Sequence, residues 1–459
     1  MNLPKSSFFL FGPRGTGKST WLKAVFPDAE FIDFLSQDQY RFYLARPDRL
    51  RGVVEGTPDC RTYVVDEVQR IPEILSVVHL LIEAHPDKQF ILTGSSARKL
   101  KRAGIDLLGG RALLKRSHSF LAAELGASFC LDKALTLGLV PLVLAAEDPQ
   151  AVLNAYVLLY LREEVQAEGL VRNVGAFARF LEAISFSHGS LLNVAEVARE
   201  CEVSRKTVEG YVGIVRDLLI ASLLPVFSKR AKRKLIKHEK FYFFDSGVYR
   251  SIRPKGPLDR PAEIDGAALE GLVYQHLRAW NDYSGAHHEL FFWRTRSGVE
   301  VDFVVYGEDT FTALEVKNTA RPGPADLRTL RAFGQDYPEA ARMLLYRGDR
   351  RMLIDGVLCM PCEHFLASLR PGHDLVPDVS RGAHRAPACP RWTIRPALSP
   401  EAATSRSTHG RGRRCSGPWP RAGTSPLNRR RQCPRNRPPA SSAGRPPARP
   451  SPRAHSAAR

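Results

Sequence analysis

Eight residues constrain this chain more than any others: Gly12-Pro-Arg-Gly-Thr-Gly-Lys-Ser19, set between the apolar run Phe8-Phe-Leu-Phe11 and the helical opening Thr20-Trp-Leu-Lys-Ala-Val25. Strand, glycine-rich loop and helix in this order, with the spacing G-x-x-x-x-G-K-[ST], predict a loop whose backbone N–H groups line an anion-sized concavity. Gly12, Gly15 and Gly17 let the backbone approach a phosphate, with Thr16 and Thr20 in the same run. Lys18 reaches the outer phosphates, and the Ser19 hydroxyl suits Mg²⁺. An α/β fold with a buried strand beneath the loop follows.

A second signal supports the first. Arg61-Thr-Tyr-Val-Val-Asp66-Glu67 is a β-branched strand ending in two carboxylates. Asp66 can bind Mg²⁺ through water, and Glu67 can polarise an attacking water. Phe90-Ile-Leu-Thr93-Gly-Ser95-Ser96 ends another buried-type strand in hydroxyls, where Thr93 could sense a γ-phosphate or only cap the next helix. Arg111 follows the turn Leu107-Leu-Gly-Gly110 and is a candidate finger on transition-state charge, with a solvated arginine as the alternative.

Together, Gly12 to Ser19, Val64-Val-Asp66-Glu67-Val-Gln69, Leu92-Thr-Gly-Ser-Ser96 and Leu108-Gly-Gly-Arg111 resemble a bacterial and archaeal family of AAA+-type P-loop ATPases. In that family the ATPase module is followed by a winged helix and a domain of unknown function. The resemblance covers about residues 7 to 370. It implies ATP rather than GTP, and no N/T-K-x-D guanine motif argues otherwise. Family members usually carry a helical segment before the first strand, and here the chain starts almost on that strand.

By analogy with related modules, residues 121–190 are expected to form a helical lid after an ATPase domain at 1–120. Their clearest helical segment is Ala151 to Gln166, with Tyr156, Leu159, Leu161 and Val165 on the apolar side. Residues 191–252 read as a winged helix-turn-helix. A helix over Val194–Glu200 is followed by a turn at Cys201, and Ser204 caps a second helix burying Val208, Tyr211, Val212 and Val215. Arg205, Lys206 and Thr207 project from its first turn, where such motifs present recognition residues. Seven of the twelve residues from Lys229 to Lys240 are Lys or Arg, which predicts a wing whose basic tip meets phosphates. The partner expected from these features is DNA; a solvated hairpin on a protein-binding module is the alternative.

Residues 262–370 read as a second α/β domain. A helix carries Glu270, then come the strands Phe291–Arg294, Val299–Val305 and Thr312–Val316. Alternation puts Glu300 with Asp302, and Glu315 with Lys317, on common sides, with Val301, Phe303 and Val316 opposite. Two carboxylates can hold a divalent ion, here Asp302 and Glu315, and a neighbouring lysine can orient water for phosphodiester attack. The pattern resembles the PD-(D/E)XK nuclease-like fold, with Glu270, Asp302, Glu315 and Lys317 on the matching positions. A half-exposed sheet with a charged outer face is the bland alternative.

Composition matters only at the end of the chain. Of the net charge of +19 over 459 residues, the segment 371–459 holds 18 Arg, no Lys, two Asp and one Glu, or +15. Without sustained apolar periodicity it is expected to be disordered. It reads as an evolved nucleic-acid arm or as GC-rich DNA translated in a shifted frame. Cys359-x-x-Cys362 stands without a second pair, so reduced thiols in a cytoplasmic protein are expected. The longest apolar run, Leu135 to Ala146, is too short for a bilayer. The expected function is a Mg²⁺-dependent ATPase that engages DNA, with a nuclease-like C-terminal domain; homo-oligomers assembled through the ATPase domain would suit it. A non-cleaving nucleotide switch that binds a protein partner is the rival.

Overall fold

The computed structural model describes residues 1, 3–95, 98, 110–160, 173–229, 238–285 and 287–375. Residues Met1–Pro396 form one compact unit and Ala397–Arg459 a second, which lies outside the described residues. Outside them too are Ser96, Leu107 and Leu108, the segment 161–172, the basic residues 230–237 and the expected disordered tail from 376 on.

The first layer is a parallel sheet of β1 (Phe8–Phe11), β2 (Glu30–Asp33), β3 (Thr62–Asp66), β4 (Gln89–Gly94) and β5 (Leu113–Arg116), in the order β2-β3-β4-β1-β5. Both faces are covered, so its central strands are apolar throughout. Phe9, Phe11, Val65 and Leu92 pack on one side, with α2 (Gln37–Ala45), α3 (Arg49–Gly56) and α4 (Ile74–Ala84) supplying Tyr43, Leu50, Val54 and Leu75. Phe8, Leu10, Val64 and Ile91 pack on the other with Leu22 of α1 (Lys18–Val25).

Short helices follow: α5 (Ala122–Leu125), α6 (Leu131–Leu137), α7 (Pro141–Leu144), α8 (Pro149–Ala155) and α9 (Val174–Ser185). The expected continuous helix from Ala151 gives way to a π-helical turn at Tyr156–Tyr160. The widened turn leaves Tyr156 buried and Leu159 62% exposed, so Leu159 is not on the packed side.

Next come β6 (Ser190–Leu191), α10 (Val194–Glu200), α11 (Arg205–Asp217), β7 (Ala221–Leu224), β8 (Lys240–Phe243) and α12 (Ser246–Ile252), with an antiparallel sheet in the order β6-β8-β7. The Ser204 side chain accepts from the Thr207 N–H at 3.1 Å, and Val208, Tyr211, Val212, Ile214 and Val215 are buried. The apolar spacing and the cap therefore act where the sequence predicts them.

The last part is the long helix α13 (Pro261–Ser284), then β9 (Glu289–Arg294), β10 (Glu300–Tyr306), β11 (Phe311–Lys317), α14 (Arg328–Asp336), β12 (Ala341–Tyr346), β13 (Met352–Ile354), β14 (Val357–Pro361) and α15 (Cys362–Ser368). Its mixed sheet runs β13-β14-β12-β11-β10-β9. Simple alternation fails in β10: pairing with β9 shifts between Val301 and Val304, so Val301 enters the core on one face while Phe303 joins Val316 on the other. An extra residue at such a bulge breaks the period of two.

The β6-β8-β7 unit is fastened to this sheet. Phe227 N–H donates to Phe292 O at 2.6 Å, and Phe292 N–H to Pro225 O at 3.0 Å. His188 packs directly on α13 at Gly271, where any added Cβ would lie 2.2 Å from His188 Nε2.

Candidate functional site

Parallel pairing brings the ends of β1, β3 and β4 to one edge of the first sheet, where open α/β sheets bind ligands. Gly15 and Gly17 adopt positive φ (79° and 76°), which side-chain-bearing residues resist. Gly12 is needed for space, since a Cβ there would sit 2.5 Å from the Ser117 carbonyl. Lys18, at the start of α1 and buried, donates to the carbonyls of Gly12 and Pro13 at 2.8 and 3.1 Å. Thr16 donates to the Pro13 carbonyl at 2.8 Å, and Thr20 lies in the first turn of α1.

The Asp66 carboxylate accepts from Ser19 on Oδ2 and from Thr93 on Oδ1. One acid thus joins the loop to the hydroxyl at the end of β4. Glu67 follows it at φ 58°, ψ 44°, an uncommon conformation for a residue with a side chain, held at the strand end beside the loop. Gln69 donates from Nε2 to Glu67 Oε2 and to Ser95 Oγ, the latter at 3.2 Å. Gly94 makes room for it, because a Cβ there would meet Gln69 Oε1 at 2.2 Å. Nothing in the sequence marks Gln69 as an orienting residue beyond its place two positions after Glu67. The oxygen donors of Ser19 and Asp66 suit Mg²⁺, which prefers hard ligands.

The helical segment touches the same loop. Leu142 N–H donates to Gly15 O at 3.1 Å, and the Tyr156 hydroxyl to Arg14 O at 3.0 Å.

Arg111 is not brought to this loop. Leu113 pairs with Phe8 and Arg116 with Phe11, so Arg111 precedes the far end of β5, where it pairs with Glu83 at 2.7 Å. Within one chain Arg111 therefore lies away from the phosphate loop. Arg116 is the strand residue at the loop end, and together with Pro13 and Arg278 it lines a small cavity.

The C-terminal residues Glu270, Asp302, Glu315 and Lys317 do converge, but with a residue that the charge pattern places on a wing. Lys240 Nζ lies 2.9 Å from Glu270, 2.6 Å from Glu300 and 3.4 Å from Asp302, and its side chain is 1% exposed. Burial works against its charge, yet the carboxylates of Glu270, Asp302 and Glu300 outweigh that and hold its pKa above the usual lysine value. Tyr242 donates to Glu270 Oε1 at 2.6 Å, Asp302 Oδ2 accepts from Val316 N–H at 2.8 Å, and Lys317 donates to Glu315 at 2.6 Å. Burial first, and then the charge of Asp302, push the carboxyls of Glu270 and Glu315 up to about 7 and about 8.

Among the described residues no group of three or more His, Cys, Asp or Glu is arranged to hold a metal ion. Asp302 and Glu315, the expected Mg²⁺ ligands, each stand beside an ammonium of the chain itself, Lys240 and Lys317. Nor does Lys240 sit at a wing tip. Lys229, at the other end of the basic run, pairs with Glu289 and lies 4.3 Å from the centre of the Tyr306 ring.

Residues 5–125 match the family model described as an AAA domain. With the parallel sheet and its loop, they fit an AAA-type P-loop ATPase domain. This AAA-type domain is followed by two segments that match domains of unknown function, DUF8612 over 130–259 and DUF4143 over 265–365. The uncharacterized proteins Mb2031c of Mycobacterium bovis and Rv2008c of Mycobacterium tuberculosis are each 27% identical over 368 residues, covering 78% of this chain and 80% of theirs. Among solved structures, the replication initiator DnaA bound to AMPPCP and single-stranded DNA aligns over 46% of this chain and 82% of its own at 13% identity, with a TM-score of 0.22. Protein VC1899 from Vibrio cholerae covers 67% of this chain and 88% of its own at 12% identity, with a TM-score of 0.19. No helix among the described residues is long and apolar enough to cross a membrane.

Proposed function

We propose that this chain is a Mg²⁺-dependent ATP-binding protein that hydrolyses ATP and engages DNA. The observation that carries the ATPase reading is the Asp66 carboxylate between Ser19 and Thr93, with Glu67 next in the chain and Gln69 orienting it. Mg²⁺ at Ser19 and Asp66 would neutralise charge on the outer phosphate oxygens. Lys18 would exchange its loop carbonyls for those oxygens, Thr93 would meet the γ-phosphate, and Glu67 would orient water. Gly12, Gly15, Thr16, Gly17 and Thr20 would form the cradle. Arg111, remote from its own loop, is assigned to a neighbouring copy in a homo-oligomer, where it would reach that copy's nucleotide.

The domain reading follows the predicted boundaries: ATPase at 1–120, helical lid at 121–190, winged helix at 191–252 and nuclease-like domain at 262–370. The winged-helix reading is supported by α10 and α11 with the sheet β6-β8-β7, and by the exposure of Arg205 and Lys206 at the start of α11. The nuclease-like reading is supported by a helix, three antiparallel strands, a helix and a parallel strand in succession. Lys240 among its acids favours a scaffold that does not cleave, which keeps the regulatory switch as the second reading. The test is the ATPase rate with and without duplex DNA at two salt concentrations. DNA-stimulated, salt-sensitive turnover is expected; tight ATP binding with negligible turnover would replace the ATPase by the switch, and a rate indifferent to DNA would remove DNA from the reading.

A further inference from the structure

The acidic cluster of the C-terminal domain is already served by a cation. Glu270 comes from α13 and Glu300 and Asp302 from β10, whereas Lys240 comes from β8 in a different sheet. β8 is the central strand of that sheet, and Lys240 pairs across both flanks, with Leu191 of β6 and Leu224 of β7. The hydrogen bonds of Phe227 and Pro225 to Phe292 fasten the unit to β9. An ammonium so placed cannot swing aside as a surface lysine does.

We propose that Lys240 occupies the cation position of this cluster, so that the docked strand neutralises the acids and a divalent ion enters only once the lysine is removed. A divalent ion needs carboxylate oxygens at about 2.1 Å and repels a neighbouring ammonium, so the two cannot share Glu270, Glu300 and Asp302. The capacity for a cation nevertheless persists. Glu315 is 3% exposed, its Oε1 takes the Lys317 bond, and its Oε2 is buried with no hydrogen-bond partner among the described residues. Without Lys240, the carboxylates of Glu270, Glu300, Asp302 and Glu315 would be left with Arg294 and Lys317 as their ion-pair partners. Buried acids left in that state are costly as anions, so they must either take up protons or bind another cation.

The test uses the full chain without nucleotide and reads Mn²⁺ binding by electron paramagnetic resonance together with the thermal midpoint. In the wild-type background, Asp302→Asn should change neither the Mn²⁺ count nor the response of the midpoint to Mn²⁺. Lys240→Met should lower the metal-free midpoint, gain one bound Mn²⁺ per chain, and recover about 5 °C with Mn²⁺ at a hundredfold excess over its dissociation constant. Adding Asp302→Asn should abolish that gain, and Lys240→Arg, which keeps a cation, should show none. If Lys240→Met does not fold, Lys240→Met with Glu300→Gln removes one charge of each sign and should gain the same ion. Mn²⁺ held by the wild type in an Asp302-dependent way would overturn the proposal, as would a folded Lys240→Met protein that gains none. Neither readout involves ATP or DNA, so its failure is distinct from failure of the function proposed above.

Discussion

The Ser19 hydroxyl donates to the Asp66 carboxylate, so the phosphate loop and the acid at the end of β3 meet although 47 residues separate them in sequence. Both groups can then turn toward one Mg²⁺ without a large rearrangement. Ser19→Ala and Asp66→Ala should each weaken binding of Mg²⁺-ATP by roughly ten- to a hundredfold, the scale of one missing charge-assisted hydrogen bond. Nucleotide titrations with Mg²⁺ and with chelator separate the effects: metal-free ATP should bind nearly as before, and an equal weakening in both would place the two residues on the phosphates instead.

Glu67 and Gln69 act on a different step. Lys18→Ala should weaken ATP binding by removing the cation from the loop. Glu67→Gln should retain binding and lose turnover by roughly a hundred- to ten-thousandfold, the range of positioned acid–base groups, and Gln69→Ala should lose about a hundredfold, the low end of that range. Single-turnover hydrolysis beside equilibrium binding distinguishes these outcomes, and a Glu67→Gln protein turning over at the wild-type rate would refute the water-orienting role.

His276 should make the fold acid-sensitive. Its Nδ1 donates to the Leu272 carbonyl at 2.8 Å and its Nε2 accepts from the Ala122 N–H at 3.0 Å, a pattern only the neutral ring can make. Burial lowers its pKa to about 4 from an ordinary 6.5. Below pH 6.5 the unfolded chain therefore binds a proton that the folded chain refuses, and stability is lost as pH falls toward 4. Urea midpoints should show wild type losing on the order of 2 kcal/mol relative to His276→Gln between pH 6.5 and 5. Parallel pH curves for the two proteins would contradict this assignment.

DNA binding should depend on the first turn of α11. Arg205 is 71% exposed, with one i,i+4 pair to Glu209, and Lys206 is exposed beside it. Replacing both by Ala in a chain ending at Leu369 should weaken binding to all duplexes and reduce the log–log salt slope by roughly 0.9 for each phosphate left without its cation. Stopping at Leu369 keeps the arginine-rich segment from masking the effect. Unchanged binding would leave α11 as a protein-binding surface.

Features whose causes lie within a few residues are legible in the chain before it folds. The loop from Gly12 to Ser19, the Ser204 cap and the apolar face of α11 all depend on local hydrogen bonds, a permitted φ or a short period, so their residues announce them. The strand-end pair Asp66 and Glu67 is legible for the same reason, as the close of a β-branched run. The positions of Lys240 and Arg111 emerge only when the layers pack. Charge pattern alone groups Lys240 with a basic, solvated wing, but strand pairing on both flanks and the hydrogen bonds to Phe292 carry it into a nest of carboxylates. Parallel register, set by burial on both faces of the first sheet, sends Arg111 to the end away from the loop. The bulge at Val301–Val304 likewise redirects side chains that strict alternation would have grouped. Such placements follow from packing between segments tens to hundreds of residues apart, and that competition has no local signature.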